Sequence, residues 1–219
     1  GSQDQDEAEF MANLRLARQR LMLWVAFRDL NGMASLEEVT HSLSHFAELA
    51  VSDSIAFVRT ELQARFGLPW SKTTDSEMPL MVVGMGKLGG LELNLSSDID
   101  LIFLYEHEGE TVGAEKSLSN HEWFTRMGKR LIKLLSEHDA NGFVFRVDMR
   151  LRPNGDSCPL VFSLDMLEEY LLVQGREWER YAWIKGRLIA PLPGTASYAH
   201  CEKELEQLIR PFVYRRHLD

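Results

Sequence analysis

The sequence is short of cysteine, of positive charge and of long apolar runs. Its two cysteines, Cys158 and Cys201, are too few for a disulfide framework or a zinc quartet. A reduced, intracellular, cytoplasmic protein is therefore expected. Lys and Arg number 24 against 33 Asp and Glu, a formal net charge of −9. That excludes a general nucleic-acid coat, which needs a positive footprint, but leaves room for one nucleotide held with a metal. No apolar run approaches the ~20 residues of a membrane helix, and no signal-peptide segment opens the chain. What is present is ordinary globular material: 219 residues, 45% hydrophobic and 26% charged. That is enough for one large domain, or one domain and part of a second.

Gly1 and Ser2 read as the scar of a cleaved tag. Over 6–31, Phe10, Leu14, Ala17, Leu21 and Val25 recur at helical spacing until Asn31-Gly32 stops them. Ser35 and Glu38 form a capping box, and a second helical pattern runs through Leu43, Phe46, Leu49, Ile55, Val58 and Leu62 to Gly67. This antiparallel pair cannot bury both faces alone, so it must pack on something. Residues 69–79 read as a surface linker. Residues 80–83 and 98–105 read as buried central strands, and 106–119 as a loop. Asn120 is expected to cap a helix to about 137. Residues 143–151 read as a third strand with strict alternation. Helices are expected from Ser163 to about 174, over 176–189 and over 195–210. Helix should clearly exceed strand. The expected divisions are a helical lead-in (1–68), a core (79–162) and a C-terminal helical segment (163–219).

The chemistry concentrates between Gly84 and Asp100. Gly84-Met85-Gly86-Lys87-Leu88-Gly89-Gly90 follows a strand, and glycines there let the backbone turn and approach a ligand closely. A tight turn with no ligand is an equal reading of the glycines alone. No Walker A loop closes, because Leu88 follows Lys87, and no clear helix follows to complete a dinucleotide fingerprint. Asp98 and Asp100, two apart on a strand, point to one face. Two adjacent carboxylates repel, and their usual reason for being together is a divalent cation such as Mg²⁺. Asp148 stands between Arg146 and Arg150, with Arg152 beyond. By itself this reads as an ion-pair network; a third metal ligand flanked by phosphate-binding guanidiniums is the alternative.

A glycine loop, then Asp-x-Asp on one strand, then a single Asp on a later strand resembles the DNA polymerase beta-type nucleotidyltransferase superfamily. The wording is more specific. Gly84–Gly90, Glu92-Leu93-Asn94, Ser96-Ser97-Asp98-Ile99-Asp100-Leu101-Ile102, Arg146-Val147-Asp148-Met149-Arg150-Leu151-Arg152-Pro153 and Gln174-Gly175-Arg176-Glu177-Trp178-Glu179-Arg180-Tyr181-Ala182 resemble the glutamine synthetase adenylyltransferase family, whose members both add and remove adenylyl groups. The resemblance runs from about residue 80 to the C-terminus. The Gln174–Ala182 wording and Gly155-Asp156-Ser157 resemble the N-terminal, adenylyl-removing half of that much longer enzyme. Cys158 stands where glycine is expected and Gly186 where alanine is expected; neither position carries a carboxylate.

The resemblance implies an α+β fold, a small mixed sheet flanked by helices. It implies an enzyme in control of nitrogen assimilation, with two Mg²⁺ ions on Asp98, Asp100 and Asp148, which are both catalytic and metal-binding. It places Gly86, Lys87, Gly89, Gly90, Ser97, Arg150 and Arg152 around an adenine nucleotide and phosphate. Lys87 could equally be a solvated loop residue, and Arg152 a structural partner of Asp156. The implied partners are adenylylated glutamine synthetase and, in the full-length enzyme, the signal protein PII; neither nucleic acid nor membrane is among them. The implied reaction is phosphorolysis of adenylyl-tyrosine. ATP-dependent adenylylation and a non-catalytic nucleotide-binding regulatory module are the competing readings. Trp178, Tyr181 and Trp183 are read as core.

Overall fold

A computed structural model describes residues 2–214. Gly1 of the expected tag scar lies outside them, as do residues 215–219 and the Asp156 side chain.

The leading helices form where periodicity and caps place them. Helix α1 spans Ser2–Leu30, and α2 spans Leu36–Phe66. The Ser35 hydroxyl accepts from the Glu38 amide at the start of α2, satisfying one of its orphan donors. Gly67 ends it with φ 73°, and a side chain there would strike the Val112 carbonyl.

Residues 69–79 are not a bare linker. They hold strand β1 (Leu68–Ser71) and strand β2 (Ser76–Glu77), paired antiparallel. Strand β3 (Met81–Gly84) follows, then a one-turn helix α3 (Gly86–Gly89) and strand β4 (Ile99–Tyr105). The expected loop at 106–119 contains strand β5 (Thr111–Val112), which pairs with β1 and completes a small three-stranded sheet. Neither short strand carries a periodic signal, since two residues cannot display one. Helix α4 (Asn120–Ser136) is capped by Ser119, one residue before the expected Asn120.

Beyond α4 come strand β6 (Val147–Asp148), a 3-10 turn (Gly155–Ser157), strand β7 (Val161–Ser163) and helix α5 (Leu164–Val173). Ser163 caps α5 as expected. Helix α6 (Glu177–Ile184), strand β8 (Arg187–Ala190) and helix α7 (Tyr198–Val213) complete the described chain.

Two expectations are corrected here. The strict alternation over 143–151 fails: only β6 is strand, and Val144 and Phe145 are both buried. Both of their amides donate to the Leu135 carbonyl, so the end of α4, not a sheet ladder, sets this stretch. The helix expected over 176–189 ends at Ile184, and Arg187–Ala190 is instead an edge strand on β3. Of the aromatic residues read as core, Trp183 is buried, but Trp178 and Tyr181 are exposed.

The main sheet runs β6-β4-β3-β8, with β7 also pairing with β4. Strand β3 is antiparallel to both β4 and β8, whereas β6 and β7 are parallel to β4. Both faces are covered, which is why β4 reads as an unbroken apolar run after Asp100. Leu101, Phe103 and Tyr105 join Val82 under α1, α2 and α4. Ile102 and Leu104 join Met81 and Val83 under α5, α6 and α7.

Candidate functional site

Strand β4 is buried along its length except at Asp100. Its parallel ladder with β6 pairs Ile99 with Val147 and Asp100 with Asp148, so two acids 48 residues apart in sequence sit side by side. Asp98 immediately precedes β4. On the other edge, the Met85 amide donates to the Asp100 carbonyl (2.9 Å), which brings the glycine turn to the same spot. The register thus gathers Asp98, Asp100, Asp148 and Gly86 at one end of the sheet.

The three carboxyls have different surroundings. Asp98 accepts from Arg146 Nε at 2.5 Å, and Arg146 also holds the Ser96 carbonyl (3.0 Å). Asp148 accepts from Arg150 Nε (2.8 Å), Arg150 Nη2 (2.5 Å) and the Arg150 amide (2.8 Å). The Arg150 hydrogen bonds hold the Asp148 carboxyl below its ordinary range, against the effect of burial. Asp100 goes the other way. Partial burial, then the neighbouring Asp148 and Asp98 charges, push its carboxyl above the ordinary range, opposed by Arg150.

The glycines of the turn do different work. Gly86 has φ +54°, and a Cβ there would lie 3.0 Å from Asp100 Oδ2. The backbone thus packs directly on the acid. Gly89 is needed for packing: a Cβ would lie 1.8 Å from the Lys185 carbonyl oxygen. Gly90 has less contact, its nearest neighbour being the Glu92 side chain at 3.3 Å. The one-turn helix that starts at Gly86 corrects the expectation that no helix follows the loop: four residues, two of them glycine, are too few to show a helical period. Lys87 is exposed, with Nζ 3.5 Å from Ser97 Oγ, and that hydroxyl donates to Asn94 Oδ1 at 2.6 Å.

Arg150 is exposed, whereas Arg152 is buried and donates from Nη1 to the Met149 carbonyl (2.8 Å). Arg146, read as sharing a network with Asp148, turns to Asp98 instead. Sequence reasoning missed the supports of this loop. The Asn154 amide donates to Tyr170 Oη (3.3 Å), whose hydroxyl donates to the buried carboxylate of Glu179 (2.8 Å). Asn154 also holds Gln174 across 3.2 Å. The Gln174–Ala182 wording was visible in the sequence; that its Glu179 reaches back toward the acid-bearing loop was not.

Among the described residues, no three His, Cys, Asp or Glu side chains already stand as a metal cage. The donor chemistry nevertheless fits Mg²⁺. Carboxylate oxygens are its preferred ligands, and the upward push on Asp100 from Asp98 and Asp148 is repulsion that a cation between them would relieve.

Residues 2–202 match the family described as Glutamate-ammonia ligase adenylyltransferase. The chain is 56% identical over 206 residues to a Ralstonia nicotianae protein named bifunctional glutamine synthetase adenylyltransferase/adenylyl-removing enzyme, covering 94% of this chain and 22% of the relative. Relatives of the same name from Burkholderia mallei and Nitrosomonas europaea are 53% and 48% identical, over 100% and 98% of this chain. These cover 24% and 23% of the relatives, so the chain spans under a quarter of their length.

Proposed function

This chain belongs to the glutamate-ammonia ligase adenylyltransferase family, and we propose that it carries an adenylyl-removing site that releases ADP from adenylylated glutamine synthetase by phosphorolysis. The observation that carries the reading is the register that sets Asp148 beside Asp100 with Gly86 packed on the acid. Support for removal over addition comes from the Gln174–Ala182 wording and Gly155-Asp156-Ser157, which resemble the removing half of the longer enzyme.

Asp98, Asp100 and Asp148 would hold two Mg²⁺ ions, which supply charge neutralisation and orientation at the α-phosphate. The chain's own part is binding and positioning. A phosphate oxygen bonds to the α-phosphorus as the bond to the tyrosine oxygen breaks. The products are ADP and a tyrosine phenolate that takes its proton from water. A phenol has a pKa of ~10 and leaves more readily than an alkoxide. Phosphate is already anionic, so no strong base is required. Arg150, exposed beside Asp148, is the guanidinium we assign to the attacking phosphate. Arg152 is assigned to holding the loop that carries Arg150. Gly86, Lys87, Gly90 and Ser97 are assigned to the nucleotide phosphates, and Gly89 to the close packing that shapes the turn.

The test is incubation of adenylylated glutamine synthetase with the chain, phosphate and Mg²⁺, reading ADP. Release of ADP that stops on chelation is expected. Labelling of unmodified synthetase from ATP, with no ADP release from the adenylylated form, would assign the opposite direction.

A further inference from the structure

We propose that Glu48 and Arg187 form a positioning pair that fixes the glycine turn against Asp100, making nucleotide affinity at the site depend on helix α2. This rests on the nucleotide site proposed above and adds the residues that hold it in place.

Arg187 opens β8, opposite Gly84 at the end of β3. Its guanidinium spans three acceptors. Nε donates to the Gly89 carbonyl (3.0 Å), and Nη2 donates to the Leu88 carbonyl (3.2 Å) and to Glu48 Oε1 (2.5 Å). Gly89 and Leu88 close the one-turn helix α3, where carbonyls lack intrahelical partners; the Leu88 carbonyl also accepts from the Leu91 amide (3.2 Å). Glu48 lies on α2, with its side chain only 8% exposed; its Oε2 is 3.3 Å from the exposed His45 ring, and Arg187 is the permanently charged partner of its Oε1. One helical turn earlier on α2, buried Ser44 accepts from the Leu93 amide (3.3 Å). Helix α2 therefore grips the turn both directly and through Arg187.

There is little slack between this grip and the acid. The turn starts at Gly86, where even a methyl group would touch Asp100 Oδ2, and it is backed at Gly89 by the Lys185 carbonyl. A turn released at its far end can rotate away from Asp100. The fork geometry matters as well as the charge. A lysine at 187 keeps the charge but cannot span two carbonyls and a carboxylate at once.

The experiment compares the full chain with Glu48→Gln, Arg187→Lys and the double variant. Amide exchange over 85–93 and affinity for ADP with Mg²⁺ are measured for each. Each single variant should speed exchange in the turn and weaken ADP binding by about tenfold, the usual effect of removing a supporting partner. The double variant should be no worse than the worse single, because both substitutions break one linkage. Unchanged exchange in Glu48→Gln, or single effects that multiply in the double, overturns the proposal. Should Arg187→Lys fold poorly, Glu48→Gln alone decides through the exchange readout. A parent chain that binds no ADP would defeat the proposed function, while the exchange rates still decide the pairing.

Discussion

The glycine turn and the loop after β6 both border Asp100, yet they are secured by different chemistry from opposite faces of the sheet. The turn is held by a charged fork, Arg187 on Glu48, backed by α2. The loop is held by a hydroxyl relay, Asn154 to Tyr170 to Glu179, from α5 and α6, and within itself by the buried Arg152 guanidinium on the Met149 carbonyl. A guanidinium fork fixes several atoms at once, whereas a hydroxyl rotates about one bond. We expect the turn, tied by Arg187 to three acceptors at once, to be the more rigid of the two borders, and the loop bearing Arg150 the more adaptable. That division would suit the fixed nucleotide and exchangeable phosphate of the function proposed above.

Predictions that sharpen this contrast start with the acid between the two borders. Asp100→Asn should cut turnover more than about 100-fold, beyond what losing a supporting residue costs. It should not lower metal-free stability. The Asp100 carboxyl is held above its ordinary range, so its ionised form opposes folding. The stability present at low pH is lost as pH rises through the folded-state value. The amide should therefore match or exceed the parent at neutral pH, and the gain should vanish in acid; melting curves across pH check this. A variant that melts far below the parent would make Asp100 a structural partner.

Gly89→Ala should break the rigid border. The added methyl would meet the Lys185 carbonyl oxygen at 1.8 Å and the Gly84 carbonyl oxygen at 2.5 Å. Overpacking of this kind costs about 3 kcal/mol, or roughly 6–12 °C in Tm for a chain of this size. Tyr170→Phe tests the adaptable border with a smaller effect. It removes the hydroxyl that donates to Glu179 Oε1 in a buried site, while the Arg176 amide still donates to Oε2 (2.8 Å); this costs about 1–2 kcal/mol by denaturant titration. The KM for phosphate should rise with kcat nearly unchanged, because Arg150 is carried by that loop. A Tyr170→Phe variant as damaging as Gly89→Ala would erase the contrast.

How much of this was legible in the sequence depended on range. Local signals match the structure: the caps at Ser35 and Ser163 and the apolar runs of β3 and β4. Strand β8 was read as helix because Arg187-Leu188-Ile189-Ala190 is too short to show a period and its partner β3 lies a hundred residues earlier. The alternation over 143–151 misled because Val144 and Phe145 answer to Leu135 and not to a ladder. Arg146 stands out in the sequence, but its pairing with Asp98 and not Asp148 depends on register. Glu48 and Arg187 are 139 residues apart, and only the folded sheet brings them together.

The most direct test is binding of Mn²⁺, as a paramagnetic stand-in for Mg²⁺, to the parent and to Asp100→Asn in the presence of ADP. Electron paramagnetic resonance should show bound ion in the parent and its loss in the variant. Equal ion binding by both, or ADP binding by the parent that ignores chelation, would contradict a metal-dependent nucleotide site at Asp98, Asp100 and Asp148.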